Sequence, residues 1–409
     1  MSEPRTHDVL IVGGGMVGAS LAIALSGRGL RIGLVEAYPP GDPGQPSYDD
    51  RCIALAHGSR RIFEAMRLWG AIDDDAEPIA KIHVSDRGHF GFSHLSAEEE
   101  NVPALGYVVT ARRLGYSLIG RLRECTDVEL IAPARVTAVS SDKEAAQVAI
   151  EQGDQHRELR AALLVAADGG KSFIREQLDV PTQRWEYGQS AVVTNITPSK
   201  PHNNVAFERF TDSGPVALLP MSEGRCAVVW TVRDEDVETV MALDDASFLA
   251  AFQERFGYRL GRFERVGKRA SYPLSLLRVK ESVRERIAII GNAAHTLHPI
   301  AGQGFNLGIR DVSALVDVLL QAQVDGVDIG AGVVLKKYED WRRDEQRNMA
   351  LATDGLARLF SNPLGAIRFG RNLGLLAMDL LPGARHQLAR AAMGLAGKLP
   401  RLGRGVAPE

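Results

Sequence analysis

The chain is poor in several kinds of residue. Only three of its 409 residues are cysteine (Cys52, Cys125 and Cys226), they lie far apart, and no C-x-x-C pair occurs. A disulfide framework and a cysteine-held zinc are therefore not expected, and a reducing, cytoplasmic setting is. The net charge is only −3, which provides no long-range attraction to nucleic acid. No uncharged apolar run reaches the roughly 18 residues that a membrane-spanning helix needs. The stretch MSEPRTHDVLIVGGG enters an apolar strand within eight residues, which leaves no room for a signal or transit peptide.

What is present is ample apolar material, 45% of residues. A chain of this length exceeds what one core usually supports, so two domains are expected. DVLIVGGGMVGASLAIALSGRGLRIGLVEA (Asp8 to Ala37) reads as strand, Gly-rich turn, helix (about Met16 to Arg28) and second strand (Ile32 to Glu36). Its continuous apolar runs mark strands buried on both faces, as in a parallel sheet. A Pro/Gly-rich loop follows at Tyr38 to Asp50, then helical patterns from Ser59 to Trp69 and from Arg113 to Cys125. Between Thr182 and Ser275, strand-like runs recur in the manner of an antiparallel sheet. The α/β pattern returns at RIAIIGNAAH, and the end of the chain turns helical and basic, with eight Lys/Arg from Leu356 onward against Asp379 and Glu409.

The expected architecture is therefore α/β: a Rossmann-like dinucleotide-binding domain assembled from 1–79, 108–181 and 276–350. An inserted antiparallel-sheet domain takes 80–107 and 182–275, and a basic helical segment takes 351–409.

Gly13, Gly15 and Gly18 form G-x-G-x-x-G between strand and helix. The first allows the tight turn, the second admits a pyrophosphate to the backbone, and the third packs helix on strand. Glu36 ends the second strand 18 residues past Gly18, where a carboxylate accepts from adenosine ribose hydroxyls. A Gly turn serving packing alone is the plainer alternative. The motif implies a dinucleotide and does not distinguish FAD from NAD(P).

Two later motifs narrow the choice. ADGGKSFIRE carries D-G-x-x-S-x-x-R through Asp168, Gly169, Ser172 and Arg175. GNAAHTLHPIAGQGFNLGIRD carries G-(D/N)-A-A-H…P…G-Q-G-x-N through Gly291, Asn292, His295, Pro299, Gly302, Gln303, Gly304 and Asn306. Three motifs in this order resemble the single-component, FAD-dependent aromatic hydroxylases of the p-hydroxybenzoate hydroxylase fold, over about Asp8 to Arg347. The resemblance implies that the late motif lies along the flavin, with Asn292 near the ribityl chain and pyrophosphate. It also implies that the Gly302–Gly304 turn opens a helix whose N–H groups face N1 and O2 of the isoalloxazine. By the same resemblance Arg51 sits near the flavin, Arg112 against the ribityl chain, and Asp168 in the pyrophosphate region. Asp168 could equally cap the helix near Ser172, and Arg51 could be a surface ion pair. Most of the family has Asp where this chain has Asn292, and a G-N-A-A start resembles the ubiquinone-pathway branch.

Exclusion points the same way. Without C-x-x-C or C-x₄-C there is no disulfide reductase, and without a second G-x-G-x-x-G no separate nicotinamide domain. Without a W-x-W pair there is no flavin halogenase. The resemblance implies a monooxygenase in which NAD(P)H (NADPH or NADH) reduces FAD, O₂ forms a flavin C4a-hydroperoxide, and a hydroxyl passes to an electron-rich ring. A flavoprotein monooxygenase of another aromatic substrate, a prenyl-chain reductase and an FAD-binding scaffold of a quinone-biosynthesis complex are the alternatives. No general base is identifiable. Tyr187, Tyr272 and His298 read as ordinary core or loop residues, and His295 and His298 lack the company of metal ligands.

His83 to Val109 resembles the corresponding stretch of the 2-polyprenyl-6-methoxyphenol hydroxylases of ubiquinone biosynthesis. That resemblance implies a hydrophobic prenylated phenol as substrate. The basic C-terminal helices are consistent with peripheral contact with a membrane's inner face or with a partner, and packing on the chain's own domain or on a second copy in a homo-oligomer is the plainer alternative.

Overall fold

The computed structural model describes residues 6–42, 45, 51–362 and 364–407. Residues 43–44 and 46–50 of the Pro/Gly-rich loop lie outside them.

The first part of the chain forms β1 (His7–Val12), α1 (Met16–Leu25), β2 (Ile32–Val35), β3 (Cys52–Ala56), α2 (His57–Ala65) and β4 (Glu77–Ile79). Next come β5 (Lys81–Asp86), β6 (Phe92–Ser96), β7 (Gly106–Thr110), α3 (Ala111–Glu124), β8 (Val128–Ile131), β9 (Arg135–Ser141), β10 (Ala146–Gln152), β11 (Gln155–Ala166) and α4 (Phe173–Gln177). The middle of the chain supplies β12 (Thr182–Pro198), β13 (Val205–Thr211), β14 (Gly214–Pro220), β15 (Cys226–Arg233), α5 (Val237–Ala242), α6 (Asp245–Phe256), β16 (Phe263–Val266) and β17 (Ala270–Val279). The last part holds β18 (Val283–Arg284), β19 (Ile287–Ile289), β20 (His295–Thr296), α7 (Gln303–Val324), α8 (Gly332–Ser361), α9 (Gly365–Leu380) and α10 (Pro382–Ala392).

β8, β2, β1, β11 and β19 lie side by side and parallel. Alternate residues of these strands serve opposite cores, as the pleat requires. Val9, Ile11, Ile32, Leu34, Leu163 and Val165 pack with α1 and α7. Leu10, Val12, Val35, Leu164 and Ala166 pack on the other face, under the β9–β10 ribbon and Ile174 of α4. The unbroken apolar runs are thus explained: both faces are covered.

The second sheet runs β20-β17-β12-β15-β14-β13-β5-β6, with β16 beside β12. One face is sealed by α6, whose Phe248, Phe252 and Phe256 recur every four residues and meet Trp230, Val228 and Phe263. The other face turns toward α8, through Phe210, Ala357 and Phe360. A small third sheet, β3-β7-β4, links the two, with Ile79, Val108 and Cys52 packing against Met221 and Ala227.

Four elements cross the boundaries expected from sequence. β7 runs through position 107, β17 runs unbroken through position 275, α8 runs through position 350, and β20, inside the late motif, pairs with β17 of the second sheet. The mixed α/β architecture with parallel and antiparallel sheets and a helical C-terminus is as expected. Among the C-terminal cations Arg358, Arg390, Lys398 and Arg404 are exposed, while others are tied to the body of the fold. Arg371 is buried against Asp86 at 2.9 Å, Arg385 meets Glu99 at 3.0 Å, and Arg358 meets Asp354 at 2.9 Å. Lys398 lies over the Trp341 ring, 4.4 Å from its centre.

Candidate functional site

The strand order reverses direction at β1, between β2 and β11, and in open α/β sheets the crevice at such a point takes the ligand. Three hydrogen bonds set the strand ends side by side: Gly13 N–H to Val35 O at 2.9 Å, Ala167 N–H to Val12 O at 2.8 Å and Ile290 N–H to Ala166 O at 3.0 Å. All three motifs, far apart in sequence, therefore meet at one edge. Gly13 has φ +103°, and a β-carbon there would lie 2.4 Å from Ala167 O. Gly15 caps α1 in an extended conformation, with no side-chain cap and no acid in the first turn. The helix's first N–H groups are thus left to an anion, with the positive end of the dipole behind them.

Glu36 is held by two backbone donors, Gly14 N–H to Oε2 at 2.6 Å and Tyr38 N–H to Oε1 at 2.9 Å. It borders a cleft of about 260 Å³ lined also by Gly14, Tyr38, Gln45, Ile119 and Leu130. Each carboxylate oxygen keeps a second lone pair toward a hydroxyl.

Asp168 serves the local structure with one oxygen only. Its Oδ2 accepts from Ile174 N–H at 3.1 Å, while Oδ1 is buried with no hydrogen-bond partner among the described residues. Burial raises this carboxyl above its ordinary range. Ser172 caps α4 by accepting from Arg175 N–H at 3.0 Å. Arg175 donates to Gly170 O at 2.8 Å and to Ala293 O at 2.9 Å. The second motif is thereby pinned to the third.

In the late motif, Asn292 is exposed on a tight turn over Gly291–Ala293. Pro299 precedes a second turn, Ile300–Gly302. Gly302, at φ +60°, caps α7 without any side-chain cap. A β-carbon there would sit 3.0 Å from Ala54 Cβ, whereas one at Gly304 would meet nothing within 4 Å. Gln303 donates to Ala392 O at 3.2 Å. Asn306 is fully engaged by the chain itself. Its Oδ1 accepts from Ala56 N–H and Ser59 Oγ, both at 2.7 Å, and its Nδ2 donates to Ala54 O and Gly302 O. These bonds hold the start of α7 on β3.

Arg51 precedes β3 and Arg112 opens α3, and the Ala111 N–H to Arg51 O bond of 2.8 Å brings them to one end of the small sheet. The Arg51 guanidinium lies 4.8 Å from the centre of the Tyr272 ring, across to the second sheet. Arg112 is exposed.

Sequence reasoning missed a buried ionic hub. Asp311, fully buried, accepts from Gly291 N–H at 3.2 Å, Arg342 Nε at 2.8 Å and Gln346 Nε2 at 2.9 Å, and its Oδ2 lies 2.6 Å from His295 Nε2. Glu345 completes the set by pairing with both Arg310 and Arg342. The signal was two adjacent charged residues, Arg310 and Asp311, on the apolar course of NLGIRDVSALV.

These residues fit FAD. The glycine edge leaves room only for backbone at the head of α1, Glu36 borders a cleft, and a buried carboxylate oxygen at Asp168 awaits a donor. The uncapped start of α7, a 22-residue helix without an acid in its first turn, suits a developing negative charge. Above Ile300 lies an apolar layer made by Phe210, Phe360, Ala357 and Tyr187, with Leu276 and Leu297 beside it.

The model of the FAD binding domain family matches residues 6–350. The chain belongs to that family. It is 38% identical to the ubiquinone hydroxylase UbiL of Rhodospirillum rubrum over 99% of this chain and 94% of that one. It is 30% identical to the 3-demethoxyubiquinol 3-hydroxylase of Escherichia coli, covering 95% and 98%. Among solved structures, p-nitrophenol 4-monooxygenase PnpA of Pseudomonas putida matches with a TM-score of 0.78 at 18% identity, over 96% of this chain and 98% of that one. That likeness is one of fold. With hydroxylases among its full-length relatives, this FAD-binding chain is an FAD-dependent aromatic hydroxylase.

One titration prediction arises at the site. Burial holds the His298 imidazole down at about 4, against an ordinary value of about 6.5. The unfolded chain therefore takes up the proton first. Stability that is complete above about pH 6.5 falls as the pH drops toward 4, by at most roughly 3 kcal/mol from this residue. Denaturant midpoints measured from pH 7 to pH 5 should fall less steeply in His298→Gln. An equal slope in both proteins would remove His298 as the cause.

Proposed function

We propose that the chain is an NAD(P)H- and O₂-using monooxygenase that hydroxylates a polyprenylated phenol of the 2-polyprenyl-6-methoxyphenol type in ubiquinone biosynthesis. The observation that carries this reading is the meeting of all three flavin motifs at one sheet edge, with an apolar layer packed on Ile300 of the third. The names of the full-length relatives support the pathway.

FAD supplies the hydride acceptance and oxygen activation when bound. The chain's own part is to bind and exclude water. The head of α1 receives the pyrophosphate, Glu36 the ribose hydroxyls, and Asp168 Oδ1 a donor from the same region. Asn306 fixes the start of α7 against Ala54, so that its N–H groups are presented in one place. The layer of Phe210, Phe360, Leu297 and Ile300 keeps water from the reacting ring.

A membrane or partner contact rests on apolar side chains more than on charge. Phe369, Leu373 and Leu380 are exposed and, at i, i+4 and i+11, share one face of α9. Phe369 also meets exposed Phe90 edge-on, with ring centres 6.2 Å apart. Replacing Phe369 and Leu373 with serine should reduce co-sedimentation with liposomes severalfold while leaving turnover of a short-tailed substrate unchanged. Unchanged sedimentation would remove this face from the reading.

The deciding experiment measures NAD(P)H oxidation and O₂ uptake by FAD-loaded protein, with and without a short-tailed 6-methoxy-2-prenylphenol, followed by product mass. Stimulated uptake and a product with one added oxygen atom are expected. Bound FAD with no stimulation, even by a long-tailed substrate in detergent, would overturn the substrate. NAD(P)H oxidation without oxygen consumption would favour the reductase alternative.

A further inference from the structure

His298 is completely buried, and neither ring nitrogen has a hydrogen-bond partner among the described residues. It immediately precedes Pro299 and the turn that opens α7. Its ring meets Tyr187 edge-on, with centres 5.0 Å apart. The Tyr187 hydroxyl is turned away, donating to Asp354 Oδ1 at 3.0 Å, and Asp354 also takes Arg358 Nε at 2.9 Å. The neighbouring Leu297, Leu276 and Leu307 offer nothing polar. An imidazole desolvated without partners is costly, and a leucine would fill the same place without that cost. Two unmet nitrogens beside the flavin turn therefore mark a group kept for something that binds there.

We propose that His298 accepts the hydrogen bond of the substrate's phenolic hydroxyl and takes its proton as the ring is hydroxylated. The inference rests on the hydroxylase reading above. In the resting complex the imidazole is neutral, because burial holds it at about 4, so it accepts at one nitrogen without ionising the phenol. The ring's π electrons form a C–O bond to the hydroxyl oxygen of the peroxide-level oxygen that bound FAD and O₂ would supply, whose O–O bond breaks with its electron pair on the other oxygen. The ring is left electron-poor, and its own hydroxyl turns into a strong acid. The O–H bond then breaks, its electron pair forms the ring carbonyl, and an N–H bond forms on His298. The hydroxylated carbon then loses its proton to the oxygen left by the broken O–O bond, its C–H electron pair restores aromaticity, and His298 returns its proton to the carbonyl oxygen. The charged groups near the imidazole are on α8: Asp354, which favours the imidazolium, and its partner Arg358. From β12 comes only the Tyr187 hydroxyl, which burial keeps protonated.

The test uses the FAD-loaded full chain, a short-tailed prenylated phenol and its methyl ether, which has no proton to give. Binding is read from flavin fluorescence, independently of turnover, and coupling from hydroxylated product per NAD(P)H consumed. In the wild type, phenol should be preferred over ether. In His298→Phe, coupling with phenol should fall about a hundredfold, peroxide should rise, and the phenol–ether difference in binding should vanish with FAD content unchanged. His298→Gln, which can accept a hydrogen bond but not a proton, should keep the binding preference and lose the coupling. A binding preference intact in His298→Phe would overturn the proposal, as would equal loss of phenol and ether binding in both variants. If wild-type protein yields no hydroxylated product from any phenol, the hydroxylase reading fails, while the binding comparison still judges His298.

Discussion

Alanine at Gly18 is expected to yield protein purified without FAD. A β-carbon there would lie 1.9 Å from Gly13 O and 3.3 Å from Ile11 Cγ2. Such an overlap must be relieved by movement, and the usual routes are blocked. Gly13 is itself at φ +103°, where an added β-carbon would lie 2.4 Å from Ala167 O, so its peptide is already wedged between strands. On the other side, α1 is buried from Gly18 to Leu25, so retreating from β1 means disturbing the core shared with α7. Either movement shifts the head of α1, where the pyrophosphate would be received. FAD affinity should drop at least about a hundredfold, or roughly 3 kcal/mol, measured by flavin absorbance per protein and by titration. Gly355→Ala, also in a helix but with nothing within 4 Å of the added carbon, is the matched control and should be neutral or slightly stabilising. Full flavin content in Gly18→Ala would mean that α1 is not the pyrophosphate site.

How far the sequence could be read depended on whether a residue's type alone reveals its task. Gly13, Gly15, Gly18 and Glu36 could be placed because few residue types serve a close backbone approach or a ribose hydroxyl, and the parallel strands because burial on both faces leaves unbroken apolar runs. The β3-β7-β4 sheet was not legible. CIALA, EPI and GYVVT are short, lack alternation, and pair across 50 or more residues for β3 with β7 and about 30 for β4 with β7. Asn306 looked like a cofactor contact, since nothing in a motif reveals that Ala54, Ala56, Ser59 and Gly302 occupy all of its polar positions. Arg342 lies in WRRDEQR, which reads as a solvated charge run, and within a helix only its one inward position carries a buried charge. The partners of Arg371 and Arg385 were hidden for the same reason: Asp86 and Glu99 belong to segments some 285 residues earlier.

Removing the Asp311 side chain should be the most destabilising single change at the site. Burial alone would raise this carboxyl, but His295 and Arg342 together hold it well below its ordinary range. In Asp311→Ala, Arg342 stays fully buried with Glu345 as its remaining acid, and Glu345 is shared with Arg310. Breaking such a buried pair by removing one partner costs about 3–5 kcal/mol. Asp311→Asn keeps the shape and an acceptor oxygen, so it should cost less, about half as much by the same reasoning. Because Gly291 N–H and His295 both anchor on Asp311 Oδ2, FAD affinity should weaken in the same order, alanine more than asparagine. The sign of the pH effect follows from the depressed carboxyl. The unfolded chain takes up this proton near the usual value of about 4, so the hub's contribution is complete above that pH and is lost as the solution becomes more acidic. Urea midpoints at neutral pH and near pH 3 test both statements. The wild type should lose stability on acidification, and Asp311→Asn should lose less of it, having no carboxyl to protonate. Equal midpoints for wild type and Asp311→Ala at neutral pH would show that the hub does not hold the flavin turn in place.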